Sequence, residues 1–252
     1  MTPAMTAISE FHRAGGRHDW TVDQTAPIPV HPHSVALPAP DWPDAKLTDC
    51  IAARVSCRNF ATDAPLDLAA LSMLLAFGYG IRGHVRTMDH DLAERPVPSA
   101  SALYALSVLV FVRNVAGLHP AIYRYDPTRH SLTACAALPT DPALAQIYLQ
   151  QDYVAQAAAI LTLTAQPDAV AERYTERAYR FLLMEAGHVV QNIALGAAAT
   201  DLGCCPIGGF EDYRVAMAAN IDPALEWPLY AAAIGPKAIP ENGDIRDPLI
   251  PK

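Results

Sequence analysis

The sequence predicts one α+β unit held between two extended ends. Three observations carry this. Helical and strand-like segments follow each other irregularly, and one strand pair is closed by a short turn and so is antiparallel; a doubly wound sheet would instead repeat β and α in strict alternation. Hydrophobic residues make up 52% of the 252 residues and charged residues 17%, which gives ample apolar surface for a core and excludes a disordered chain. Of the 22 prolines, seven fall in residues 1–43 and four in 236–252. Proline fixes φ and lacks a donor, so 1–43 reads as an extended Pro-rich arm and 236–252 as a tail on the folded domain 44–252.

The elements follow in order. Ala45–Ala53 has Leu47, Cys50 and Ile51 at helical spacing on one face. Asp67 can cap a helix over Leu68–Phe77 that turns Leu71, Leu74 and Leu75 inward, with Gly78 and Gly80 to end it. Leu106–Val112 is rich in β-branched residues and predicts a strand. Ala121–Tyr125 and Ser131–Cys135 form a hairpin around the turn 126–130. Asp141–Gln150 is a helix with Pro142 in its first turn, and Ala157–Thr164 an apolar strand. A long helix runs from about Arg177 to Leu202, closed by Gly203. Cys204–Ile207 is extended, Asp212–Ala219 helical, and Leu229–Ile234 a last buried strand.

Charge and cysteine content narrow the function. A net charge of −8 and a pI near 5.5 argue against nucleic-acid binding, which needs a basic face. Fifteen of the 18 cations are Arg, so local anion sites remain open. Five cysteines, with no CxxC pair, read as reduced thiols of a cytoplasmic protein. No apolar run reaches membrane-spanning length, and no secretion signal is expected.

Four segments carry candidate chemistry. In Arg54-Val55-Ser56-Cys57-Arg58 an extended backbone would place two guanidinium forks and a hydroxyl on one side, a set suited to a phosphate dianion; taken alone, two surface arginines in unrelated salt bridges is the plainer reading. Arg95-Pro96-Val97-Pro98-Ser99-Ala100-Ser101-Ala102 has small residues that would let a flat ligand reach the backbone; alone it reads as a loop entering a strand. Gly208-Gly209 could expose backbone N–H groups or simply turn. At Arg173-Tyr174 a cation beside a phenol would favour proton exchange, against the alternative of a solvated helix start. Gly78-Tyr79-Gly80-Ile81-Arg82-Gly83 fits GxGxxG but follows a helix and precedes none, so it reads as a helix stop. His12, His18, His31 and His33 lack acidic ligands at matching spacing, and no metal is expected. Glu185, His188, Gln191 and Asn192 read as a structural polar set, and Cys204-Cys205 as core thiols.

The order of segments carries more than any one of them. RVSCRNF, PLDLAALSMLLAFGYG, RPVPSASALYAL, GLHPAIYRYDPTRHSL, AYRFLLMEAGHVVQNIALGAAATDLG, PIGGF and EWPLYAAAIG together resemble the nitroreductase-like FMN flavoprotein superfamily. They are most similar to its SagB-type branch of azoline-oxidising dehydrogenases and assembly-line oxidases. The likeness spans about residues 46–236 and extends to Phe11-His12 and Val35-Ala36-Leu37-Pro38. It implies a nitroreductase-like fold, a central, mostly antiparallel sheet flanked by helices, in an intertwined homodimer. The long helix would form much of the dimer core, the tail 236–252 would wrap the partner, and FMN would sit at the interface.

By the same resemblance Arg54, Ser56 and Arg58 match the phosphate-binding R-x-S-x-R. Arg95, Pro98, Ser99, Ala100 and Ser101 match the loop along the flavin ring, Gly208 and Gly209 the reactive edge, and Lys237 a second phosphate cation. Ser101 stands where the family's loop has Gly, and Ala105 where it has Pro. Arg173 replaces the Lys of the branch's Lys-Tyr pair; Arg does not act as a base near neutral pH, so Tyr174 is the catalytic candidate and Arg173 its electrostatic neighbour. The implied activity is hydride transfer from a peptide-derived or carrier-bound heterocycle such as a thiazoline or oxazoline, with a cyclodehydratase or carrier protein as a possible partner. An NAD(P)H-dependent nitro- or quinone-type reductase is the alternative, and a flavin-free scaffold subunit the reading of another class.

Overall fold

The computed structural model describes residues 34–86 and 91–238, together with Thr6. A seven-stranded sheet forms its centre. Its strands are β1 (Ser34–Ala36), β4 (Leu106–Val112), β5 (Ala121–Asp126), β6 (Ser131–Ala137), β7 (Ala159–Ala165), β8 (Leu202–Ile207) and β9 (Trp227–Pro236). The order is β1-β6-β5-β4-β7-β9-β8, and every neighbouring pair is antiparallel. Among the described residues six helices flank it: α1 (Leu47–Ala53), α2 (Leu68–Tyr79), α3 (Asp141–Ile147), α4 (Asp168–Tyr174), α5 (Arg177–Ala199) and α6 (Asp212–Ala218). A small hairpin, β2 (Gly83–Arg86) with β3 (Asp91–Glu94), stands apart from the sheet. The expected α+β class and antiparallel sheet are borne out.

Strand alternation sends side chains to two layers. Val108, Val110 and Val112 of β4 join Leu71, Leu74 and Leu75 of α2 and Val189 and Ile193 of α5. Leu109 and Phe111 join the opposite cluster with Leu144 and Ile147 of α3 and Val215 of α6. Asp67 caps α2 as expected, accepting from the Ala69 N–H at 3.1 Å. By length and composition α5 is apolar enough to cross a membrane, yet here it is a core helix whose inner face is buried.

Several sequence expectations shift. Gly78 does not stop α2: it lies inside the helix, where a Cβ would come within 2.8 Å of Ile193 Cγ1, so its role is close approach to α5, and Gly80 is the C-cap. Gly203 does not close the long helix either. Thr200 does, and Gly203 is the second residue of β8. Of the apolar face read in α1, only Cys50 is buried; Leu47 and Ile51 are exposed. Helix α3 stops at Ile147, and Leu149 and Gln150 take left-handed φ of 55° and 58°. Strand β1, the β2–β3 hairpin and α4 have no counterpart in the sequence reading. Pro38, just after β1, is pinned to α2: Ser72 donates to its carbonyl at 2.6 Å and also contacts His130 Nε2, whose Nδ1 lies 2.9 Å from the Tyr125 hydroxyl. Phe11, His12, His18, His31, His33 and the tail beyond 238 lie outside the described residues.

Candidate functional site

The first group gathers where α1 ends. Arg54 is its C-cap, with its N–H bonded to the Cys50 carbonyl and an extended ψ of 114°. Residues 54–61 then run as a strap across the end of the sheet. The Cys57 N–H donates to the Cys204 carbonyl at 2.9 Å, and the Ala61 N–H to Pro236 at 3.0 Å. Gly203 makes this closeness possible, because a Cβ there would lie 2.9 Å from both Cys57 Sγ and Phe60 Cε1. A bridge between Phe60 and Lys237 draws Lys237 alongside the strap, where its Nζ meets Asp201 Oδ1 at 2.6 Å. The Arg58 guanidinium lies over the Tyr153 ring, 5.9 Å from its centroid. Burial pushes the Cys204 thiol up to about 12, which fits an inert core thiol.

The Gly208-Gly209 turn leaves the end of β8. A Cβ at Gly208 would meet nothing within 4 Å, whereas one at Gly209 would touch Leu149 at 3.4 Å. Gln151 holds the turn from the side, a role with no signal in the sequence. Its Nε2 donates to the Gly209 carbonyl at 2.9 Å and the Tyr148 carbonyl at 2.8 Å, and its Oε1 accepts from the Tyr153 hydroxyl.

The third group is the loop from Arg95 into β4. Ser99 Oγ donates to Glu185 Oε2 at 2.6 Å and accepts from the Tyr104 N–H at 2.9 Å. Tyr79 donates to Glu185 Oε1 at 2.7 Å and accepts from the Leu106 N–H at 3.0 Å. Burial raises the pKa of Glu185, and the two hydroxyl bonds and nearby Arg95 pull it back. Arg95 turns into the protein: its guanidinium lies 4.2 Å from the Tyr79 ring centroid and 5.0 Å from that of Tyr104, and Nη1 donates to the Tyr79 carbonyl. Asn192 donates to the carbonyls of Phe77 and Pro96, each at 3.3 Å. Glu185 and Asn192 therefore brace this loop from behind, whereas His188 and Gln191, read with them as one structural set, are exposed. Pro98 is exposed and Ala100 half-buried.

Ser101, Ala102 and Tyr104 all have left-handed backbone, with φ of 52°, 54° and 48°. Glycine reaches that region without steric cost, which gives a plain physical reason for the Gly that the resemblance sets at the position of Ser101. Here the Ser101 hydroxyl is bonded to the Tyr174 hydroxyl. Tyr174 ends α4, rather than preceding a bare helix start, and its ring stacks edge-on against Phe181 at 4.9 Å. Arg173 is exposed in the same last turn, where a cation suits the helix dipole.

The site residues thus form two sets in one chain. The strap, Lys237 and the Gly208-Gly209 turn belong to the β8 edge. The Arg95–Ser101 loop and Tyr174 lie beside the N-terminal half of α5. Glu185 and Ala199 are separated by about 21 Å along the helix at 1.5 Å per residue. Among the described residues no cluster of His, Cys, Asp and Glu could hold a metal ion.

Comparison with known proteins adds the following. The nitroreductase family model matches residues 51–236. A provisionally named nitroreductase of Methanocaldococcus jannaschii is 32% identical over 204 residues, 81% of this chain and 98% of that protein. A provisionally named nitroreductase of Anabaena variabilis superposes with a TM-score of 0.69 at 25% identity, covering 82% of this chain; the chain spans only 42% of that longer one. A chain of the E. coli microcin synthetase McbBCD complex with truncated pro-MccB17 bound gives a TM-score of 0.67 at 20% identity, over 94% of this chain and 95% of that one. A Desulfovibrio desulfuricans protein of the same fold, solved in complex with FMN, gives 0.53 at 23% identity over 82% and 94%.

Proposed function

The chain belongs to the nitroreductase family, and from that membership we propose that it is an FMN-dependent oxidoreductase of SagB type. It takes a hydride from a peptide-derived or carrier-bound heterocycle such as a thiazoline or oxazoline. The observation that carries this reading is the contact between the Tyr174 and Ser101 hydroxyls. It sets a group able to exchange protons on the loop that the resemblance assigns to the flavin ring. Likeness of fold to a chain of the microcin synthetase complex is in keeping with a peptide substrate and a cyclodehydratase partner.

The residues present fit FMN. Arg54, Ser56 and Arg58, with Lys237 beside them, are the donor set a phosphate dianion takes. Open space over Gly208 leaves room for a flat ring edge. Bound flavin supplies a two-electron acceptor. The Gly208 and Gly209 N–H groups stabilise negative charge at that edge. The Tyr174 hydroxyl would orient the substrate heteroatom and relay its proton, with Arg173 beside it in the last turn of α4. Arg95, Pro98, Ser99 and Ala100 give the loop its shape.

We also propose a homodimer. A second copy would bring the ring loop of one protomer to the strap of the other, the arrangement that the resemblance implies. Leu47 (64% exposed), Ile51 (57%), Val55, Leu183 and Met184 leave an apolar surface on α1, its continuation and α5 that such a copy would cover.

The test begins with the absorbance spectrum of the purified protein, expected to show bound FMN. Arg54→Ala with Arg58→Ala should be colourless; a yellow double variant refutes the phosphate assignment. Tyr174→Phe should keep FMN and lower turnover about 10²–10⁴-fold; full activity removes Tyr174 from the chemistry. The names of the Methanocaldococcus and Anabaena relatives favour a second reading, an NAD(P)H-dependent nitro- or quinone-type reductase. Rapid anaerobic bleaching of the flavin by NADPH would decide for it.

A further inference from the structure

Gln151 uses every hydrogen-bonding position that matters on its amide. Both Nε2 hydrogens go to carbonyls, those of Tyr148 and Gly209, and Oε1 takes the Tyr153 hydroxyl. A flipped amide would set its oxygen against two carbonyls, so the network fixes the orientation. The backbone is bent to deliver this residue: Leu149 and Gln150 are both left-handed, and the Gln150 N–H closes onto the Ala145 carbonyl at 2.7 Å. The other side of the turn is tied to the same place, since the Glu211 N–H donates to the Ile147 carbonyl at 2.8 Å and Phe210 packs edge-on to Tyr148 at 6.2 Å. Tyr153, in turn, carries the Arg58 guanidinium over its ring.

From this chain of contacts we propose that Gln151 is a positioning residue that, through Tyr153, locks the Gly208-Gly209 turn to the Arg54–Arg58 strap, so that the anion end and the ring end of the site move as one body. The proposal rests on the FMN reading above. It separates two properties. The strap arginines set how tightly the cofactor phosphate is held. Gln151 sets where the Gly208 and Gly209 N–H groups stand, and hence how well negative charge is stabilised at the reactive edge of the flavin.

The experiment uses FMN-loaded wild type, Gln151→Leu, and Gln151→Glu, which keeps the acceptor for Tyr153 but loses both donors. Sulfite, which adds to the flavin edge and draws charge there, is the probe. FMN affinity should fall less than tenfold in both variants. Sulfite affinity should fall about tenfold or more, and the midpoint potential should drop by about 30 mV, the equivalent of tenfold for a two-electron couple. Amide exchange at 208–211 should quicken in the flavin-free variants, while the core strands keep wild-type protection. Loaded variants with wild-type sulfite affinity and potential overturn the proposal and leave the FMN reading standing. Wild type that takes up no FMN overturns the FMN reading, and this proposal falls with it.

Discussion

Gly203→Ala tests whether the strap is held by shape. The glycine has no unusual backbone need, so the effect would come from the added methyl alone. That methyl would lie 2.9 Å from Cys57 Sγ and Phe60 Cε1 and 3.3 Å from Cys57 Cβ. Ordinary non-bonded contacts begin near 3.5 Å, so two side chains of the strap must each retreat by roughly 0.6 Å. They cannot do so freely, because Cys57 and Ala61 are tied by backbone hydrogen bonds to Cys204 and Pro236. Overpacking of this kind costs about 1–3 kcal/mol, which in a chain of this size lowers Tm by roughly 2–4 °C per kcal/mol. The displaced strap carries Arg54, Ser56 and Arg58. A loss of about 1.4 kcal/mol at one charge-assisted contact weakens binding tenfold. Thermal melts and FMN titration by fluorescence quenching should therefore show both a lower Tm and a Kd about tenfold higher. Adding Cys57→Ala should recover part of both losses, since it removes the sulfur the methyl strikes. Wild-type Tm and Kd in Gly203→Ala would refute the argument.

Gly208→Ala should do the opposite, leaving Tm unchanged because its Cβ meets nothing, while weakening FMN binding; equal loss of both would place the ring edge elsewhere. Ser101→Gly should change the unfolding free energy in urea by less than about 1 kcal/mol, since relief of a left-handed side chain offsets one lost hydrogen bond, yet it should lower turnover by freeing Tyr174. Glu185→Ala should destabilise by about 2–4 kcal/mol in the same assay, because the Tyr79 and Ser99 hydroxyls lose their buried acceptor; a change under 1 kcal/mol would mean the loop is not braced this way. Burial lowers the pKa of His130 from 6.5, so the folded state favours the neutral ring. The stability this carries is complete above pH 6.5 and is lost as pH falls through the folded value. His130→Gln should flatten the pH dependence of urea unfolding over that acid window.

Much of the fold was legible because its signals are local. The long helix shows 3.6-residue periodicity, the β5–β6 hairpin has its Asp-Pro turn, and β4 and β7 are mostly apolar runs broken only by Ser107 and by Thr162 and Thr164. Gly78 and Gly203 misled because a glycine that ends a helix and one that admits a neighbouring chain look alike until the neighbour is known. Helix α4 and the short strands β1, β2 and β3 show too few residues for a period. In the candidate site, the R-x-S-x-R strap and the glycine pair stand out as residue patterns. The Ser101–Tyr174 contact spans 73 residues, and the hold of Gln151 on Gly209 spans 58. Neither leaves a mark on the local sequence, and the second depends on a backbone bend at Leu149 and Gln150 that non-glycine residues seldom make.

Strand β8 is the last in the sheet, and its unpaired side would otherwise invite pairing with a foreign strand. The Cys57 N–H caps its Cys204 carbonyl, so the same few residues proposed to hold the cofactor phosphate also act as a bumper for that border. Displacing the strap would bare this sticky margin and disturb the proposed phosphate site together, so a variant that unseats it, such as Gly203→Ala, should clump sooner than wild type.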